Sequence, residues 1–198
     1  VDRGVYTVGG LYQKGKFSFG AIDYYSPDII NIGYLEAKME VPFGETWKPR
    51  LAAQFIDQRS VGDDLLQGES FTGQQYGVKA ELPVGQALFT AGYTGSFGDD
   101  NLQSPWSGYP GYTSVQVEDF NRAGEGAVLL RAGYDFTFIE GLSTYALWVN
   151  GTEPDGADQY ARDEYNFNVQ WAPPEGILKG LSLRLRYAIV EQDGPGDN

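Results

Sequence analysis

The amino-acid sequence predicts an all-β fold, an antiparallel up-and-down transmembrane β-barrel. Three observations lead there. Strand-like segments alternate apolar and polar side chains over about ten residues, the length a tilted strand needs to cross a bilayer, whereas globular strands are nearer five or six. The links between segments alternate between compact turns and longer polar loops, the pattern of barrels whose long loops share one rim. The 198 residues also include 27 Gly, 14 Tyr, 11 Phe and 4 Trp, a mixture that suits strands and turns and poorly suits helices.

The clearest segment is 180–191, GLSLRLRYAIVE. Leu181, Leu183, Leu185, Tyr187 and Ile189 share one parity, while Ser182, Arg184, Arg186 and Ala188 share the other. Alternate side chains of a strand point to opposite faces, so one face suits lipid and the other suits water. A helical period would instead put Arg184 and Leu185 on adjoining sectors.

Taken from the start, segment 3–13 groups Tyr6, Val8 and Tyr12. Segment 16–25 leaves its parity open, because Phe17, Phe19 and Ala21 compete with Ile22 and Tyr24. Segment 32–42 alternates Leu35, Ala37, Met39 and Val41 with Tyr34, Glu36, Lys38 and Glu40. Segment 50–58 sets Leu51, Ala53 and Phe55 against Arg50, Ala52 and Gln54. In 74–82, Tyr76, Val78 and Ala80 oppose Gln75, Lys79 and Glu81, and in 87–97, Phe89, Ala91 and Tyr93 oppose Thr90, Gly92 and Thr94. Segment 127–138 places Leu130, Ala132 and Tyr134 opposite Arg131, Gly133 and Asp135. In 142–151 the apolar face is read as Tyr145, Leu147 and Val149, opposite Thr144, Ala146, Trp148 and Asn150. Segment 164–172 opposes Tyr165, Phe167, Val169 and Trp171 to the amides Asn166, Asn168 and Gln170, a set suited to a water-lined wall. Many of the tyrosines on the apolar parity lie near segment ends, as aromatic girdles do at membrane interfaces.

The loops at 59–72, 98–126, 152–163 and after 191 carry about half of the 27 Asp and Glu residues, segregating negative charge to one end. That rim is the external one of an outer-membrane barrel. The net charge of −13 argues against a nucleic-acid partner. The absence of both Cys and His excludes disulfides, thiolate sites and histidine-based catalysis or metal binding. No loop has the ligand spacing of a known calcium motif, although Asp63–Asp64 and Asp99–Asp100 cluster carboxylates. No apolar run reaches the length of a membrane helix, and the opening VDRGVYTVGG carries no signal-peptide pattern.

Six basic residues fall on the polar parity: Lys38, Arg50, Lys79, Arg131, Arg184 and Arg186. They fit two readings. They are surface charges paired with Glu36, Glu40, Glu81 or Asp135, or they line a water-filled lumen and guide anions. Alternation alone also fits a soluble sandwich or lipocalin-like barrel with its apolar side inward. Strand length and aromatic placement favour the membrane arrangement.

At the longest loop the sequence meets a family pattern. GYPGYTSVQVEDFNRAGE (108–125), then GLSTYALWVNG (141–151) and PPEGILKGLSLRLRYA (173–188), resembles the OprD family of outer-membrane porins, most specifically from residue 73 onward. The resemblance implies a barrel of about 18 strands, a constricting loop folded into the lumen and a ladder of basic residues for carboxylate-bearing solutes. On it, the ten segments belong to a single barrel domain, its C-terminal portion, without the N-terminal strands and the closing strand. The constricting loop then falls outside this segment. Arg184 and Arg186 are the best matches to ladder residues, with Arg131 next.

The expected function is passive diffusion of small hydrophilic, carboxylate-bearing solutes across an outer membrane. No cofactor, metal or reaction is expected. The partners are the solutes, the lipid bilayer and lipopolysaccharide, with the barrel acting as a monomer or a trimer. The alternative is a non-conducting structural or binding barrel that acts through its acidic external loops.

Overall fold

The computed structural model describes residues 3–44, 47–106, 110–157 and 159–194. Gly108 and Tyr109, which open the loop motif, and Glu45 and Thr46 of an expected turn lie outside the described residues. Ten strands follow in chain order: β1 (Tyr6–Lys14), β2 (Phe17–Ser26), β3 (Ile30–Glu40), β4 (Arg50–Arg59), β5 (Thr72–Val84), β6 (Ala87–Gly98), β7 (Gly126–Asp135), β8 (Leu142–Gly151), β9 (Arg162–Trp171) and β10 (Leu183–Gln192). Each is antiparallel to its sequence neighbours, giving one open sheet with β1 and β10 at its edges. Among the described residues there is no helix.

The ten expected segments are the ten strands, with ends that differ by a few residues. The seventh stops at Asp135 rather than 138, where the chain turns back with Leu142 N donating to Ile139 O at 3.1 Å. The tenth starts at Leu183. Before it, Lys179 N donates to Gly176 O (3.2 Å) and Leu181 N to Leu178 O (3.0 Å), winding 176–181 into successive turns.

Cross-strand register assigns every side chain to a face. Lys38, Ala52 and Lys79 are partners across β3–β5, and Thr90, Arg131, Leu147, Asn166 and Ala188 across β6–β10. This is the inner face, because the 99–125 loop lies upon it. The outer face presents exposed Leu51, Phe55, Val78, Phe89, Leu130, Phe167 and Leu185. The ambiguity in β2 resolves the same way: Ile22 pairs with Tyr34 on the inner face, leaving Phe17 and Phe19 outside. Towards the long-loop rim the outer face turns polar. There Asn31 Nδ2 donates to Asp23 (2.8 Å), Gln74 Nε2 to Asp57 (2.9 Å), and Trp148 Nε1 to Asp163 (2.7 Å). An apolar band bounded by polar groups is the exterior a bilayer requires.

One strand reverses its expected orientation. Register places Tyr145, Leu147 and Val149 of β8 inside, opposite Gly133, Arg131 and Leu129, so Ala146 and Trp148 face outward. The cause is the loop. Val149 is fully buried with Phe120, Ala127 and Leu129, and Leu147 packs against them. An inner face covered by chain is apolar for the same reason an outer face in lipid is, and alternation cannot separate the two.

The buried apolar clusters lie between the sheet and this loop. Beside the cluster at β7–β8, a second joins Ile56 of β4 to Leu102, with Ile32 and Tyr34 of β3 against it.

Candidate functional site

The 99–125 loop runs across the inner face from β3 to β9, and polar side chains of the strands hold it. On β4, Gln58 Nε2 donates to Gln103 O (2.9 Å), and Gln58 Oε1 accepts from Gln103 N (2.7 Å). On β5, Gln75 Nε2 donates to Phe120 O at 3.2 Å, and Thr94 of β6 shares a 2.6 Å hydroxyl contact with Thr113. On β9, the carboxylate of Glu164 is fully buried and accepts from the backbone N–H groups of Gln116 (3.2 Å), Val117 (3.0 Å) and Glu118 (2.7 Å). Asn166 adds a bond to the same carboxylate at 2.6 Å, and Arg162 pairs with Glu118. A carboxylate gathering backbone donors forms strong, charge-assisted bonds that satisfy groups otherwise buried without partners.

Two glycines make room for the loop. A Cβ on Gly77 would approach Tyr112 Cδ2 to 3.2 Å, and one on Gly151 would come within 2.6 Å of Phe120. The base of the loop is fixed separately. Arg122 Nη2 donates to Glu125 at 2.5 Å and Arg122 Nη1 to Tyr160 O at 3.1 Å, with the Glu125 side chain fully buried.

The resemblance led us to expect the constricting loop outside this segment. The structure instead has a long loop folded over the inner face within it. The acidic loop residues also have work other than solvation, since Glu118 and Glu125 anchor the loop. Two of the three amides of β9 do not line open water as expected: Asn166 and Asn168 are buried, while Gln170 is half-buried. A signal was present in the sequence. Gln54, Gln58, Gln75, Thr94, Ser96 and Asn166 are neutral hydrogen-bonding groups on one parity, a surface on which irregular backbone can be satisfied.

All six basic residues singled out above lie on the inner face, but in two electrostatic settings. On β3–β5, Lys38 pairs with Glu36 (2.7 Å), while Arg50 (3.5 Å) and Lys79 (3.4 Å) share Glu81. Tyr112 of the loop donates to Glu36 at 2.9 Å, and Lys79 Nζ sits 4.8 Å from the Tyr112 ring centroid. Burial, with the Glu36 carboxylate beside it, pushes the Tyr112 hydroxyl above its ordinary range, so it remains a donor.

On β7 and β10, Arg131 and Arg184 have neutral partners. Arg131 stacks over Tyr145 with its guanidinium carbon 4.0 Å from the ring centroid, and Arg184 Nε donates to Asn168 Oδ1 at 2.5 Å. Among the described residues, no carboxylate lies within ion-pair distance of Arg131, Arg184 or Arg186. Asp135, one of the carboxylates that the surface-charge reading offers as a partner, is not paired with them. A cleft of about 290 Å³ between loop and sheet brings together Lys79, Arg131 and Arg186 with Glu81, Tyr112 and Tyr145. A neighbouring hollow of about 580 Å³ is lined by Lys38, Arg50, Lys79 and Glu81. Arg184 lines neither.

An up-and-down sheet with an apolar exterior band, a charged inner face and a loop folded onto that face defines an outer-membrane β-barrel of the porin type. A family model described as outer membrane porin, OprD family, matches residues 4–197, and the chain belongs to that family of the outer membrane. Solved structures share the fold. Acinetobacter baumannii OccAB3 matches with TM-score 0.88 and 22% identity over 96% of this chain and 50% of that one. Pseudomonas aeruginosa OccK9 (OpdG) matches with 0.87 and 24% over 96% and 50%, and Pseudomonas aeruginosa OpdL with 0.88 and 20% over 96% and 54%. The chain thus spans about half the length of these structures. No curated protein sequence matches it.

Proposed function

We propose that these ten strands are part of the wall of a larger closed barrel, a passive channel for small hydrophilic solutes with a preference for carboxylates. The open edges at β1 and β10 support the larger barrel, since unpaired backbone groups are not tolerated in hydrocarbon. The polar outer rim is where lipopolysaccharide headgroups would meet the wall. One observation carries the carboxylate reading: Arg131 and Arg184, on the inner face of β7 and β10, are held by a ring and an amide rather than by carboxylates, whereas Arg162 at the rim end of β9 is paired with Glu118. The positive charge of Arg131 and Arg184 therefore stays available to a passing anion, whereas that of Lys38, Arg50 and Lys79 is largely matched by Glu36 and Glu81.

Arg184 and Arg186 are two residues apart on one face, roughly 6.5–7 Å along the strand. A carboxylate can pass from one guanidinium to the next, held bidentately at each in turn. Lumen water and salt screen each contact, which keeps the sites weak enough to leave.

The double substitution Arg184→Gln, Arg186→Gln in the complete protein keeps polarity and removes charge. The expected result is a loss of anion preference, seen as a shifted reversal potential under a salt gradient, with acetate flux slowed more than that of a neutral solute of equal size. Wild-type reversal potential and fluxes would assign these arginines a structural role. Absence of any single-channel steps from the wild-type protein would favour the non-conducting barrel instead.

A further inference from the structure

A hollow on the outer face of β1–β4 plays no part in the solute path. It measures about 470 Å³ and sits where the apolar band meets the polar rim. Register sets Asp23 of β2, Gly33 of β3 and Asp57 of β4 in one row across its rim end. One step towards the middle of the wall, Gly10, Ala21, Leu35 and Phe55 form the next row. The hollow is thus apolar at one end and acidic at the other.

Its two glycines have no internal cause. Neither Gly10 nor Gly33 has the positive φ that favours glycine. A Cβ on Gly33 would meet only Asp57 O, at 4.0 Å, and one on Gly10 would meet nothing. A strand glycine weakens a sheet and often marks a place where a ligand comes close. Here the missing side chains keep the hollow open.

The polar end has hydrogen-bonding capacity to spare. Asn31 donates to Asp23 Oδ1 at 2.8 Å, and among the described residues nothing bonds to Oδ2. Asp57 accepts from Gln74 through Oδ1 and from Arg59 Nε (3.0 Å) through Oδ2. The exposed Arg59 guanidinium keeps Nη1 for another partner. Asp23 and Arg59 stand two strands apart, roughly 9–10 Å across the sheet. A headgroup touching both must be about as wide as a sugar, with a donor on one side and an anion on the other.

We propose that this hollow binds one acylated, phosphorylated amino-sugar lipid of the outer leaflet, a lipid A unit, with an acyl chain in its apolar end. A hydroxyl or amide N–H of the sugar donates to Asp23, and a phosphate pairs with Arg59. The site rests on the outer face meeting lipid, as the barrel reading requires, and not on conduction.

The test is binding of lipid A and of phosphatidylethanolamine to the complete protein in detergent, counted by native mass spectrometry. Wild type is compared with Gly33→Leu, which fills the hollow, and with Arg59→Gln, which removes the cation. Val128→Leu, at an exposed outer-face position of β7, is the control. Lipid A affinity is expected to fall roughly tenfold in the first two variants, the scale of a few lost methylene contacts or one charge-assisted bond. It should be unchanged in the third. Unchanged affinity in both Gly33→Leu and Arg59→Gln would overturn the site. So would an equal loss in Val128→Leu, or phosphatidylethanolamine held by wild type as tightly as lipid A. The two readings fail separately. A wild type without single-channel steps that loses lipid A on Gly33→Leu keeps the site and not the channel, and a conducting one whose lipid A binding ignores both variants does the reverse.

Discussion

Replacing Glu164 with alanine is expected to free the middle of the 99–125 loop from β9 and to raise single-channel conductance severalfold in the complete protein. Three backbone N–H groups converge on this one carboxylate, and Asn166 donates to it as well. A hydrogen bond to a charged group contributes about 1.5–3 kcal/mol, and a change of about 1.4 kcal/mol shifts an equilibrium tenfold. Losing the set is enough to unseat the 116–118 stretch of the loop from β9, while Tyr112, Thr113 and Phe120 keep their partners on β3, β6 and β5. The base stays fixed, because the Arg122–Glu125 pair and the bond to Tyr160 O are untouched. The stretch around 116–118 should therefore move off β9 while the rest of the loop and the strand pairing stay in place. Glu164→Gln, with one acceptor oxygen instead of two, should give an intermediate conductance. Alanine-variant conductance equal to wild type would mean that the loop does not limit the pore, or that β9 does not hold it.

The strands were legible because alternation, length and turn chemistry agree. In β10, Leu183, Leu185, Tyr187 and Ile189 against Arg184 and Arg186 leave no competing assignment, and register confirms it. The inner placement of Lys38, Arg50, Lys79 and Arg131 was legible for the same reason, since each alternates with outward apolar neighbours. What alternation could not carry was the third dimension of the loop. Glu118 and Glu125 counted only as acidic loop residues and Glu164 only as the first residue of a strand segment, because nothing local distinguishes a carboxylate in water from one that gathers backbone donors about 50 residues away. The reversal of β8 has the same origin, as Val149 is apolar because Phe120 covers it. The uneven pairing of the cations was likewise hidden. It depends on Glu81 sitting beside Arg50 and Lys79 while Tyr145 and Asn168 sit beside Arg131 and Arg184.

The orientation of β8 leads to the second large effect. Ala146→Arg is expected to destabilise the complete barrel by about 2–4 kcal/mol, the cost of an arginine near the bilayer midplane on a lipid-facing position. Ala146 is exposed on the outer face, halfway along Leu142–Gly151, with Ala132 and Phe167 as its cross-strand partners. No carboxylate occupies those positions, so the guanidinium would have only the length of its own side chain to reach the interface. Leu147→Gln, one residue on, should cost nearer 1 kcal/mol, because Leu147 faces inward beside Arg131 and loses only part of its contact with the Val149 cluster. Local alternation alone implies the reverse order, with Leu147 in lipid and Ala146 in water. Urea unfolding of both variants in lipid vesicles ranks them, with the midpoint read against wild type at constant slope. A larger loss for Leu147→Gln than for Ala146→Arg would return β8 to the orientation its alternation suggests and remove the packing account of Val149 and Phe120 with it.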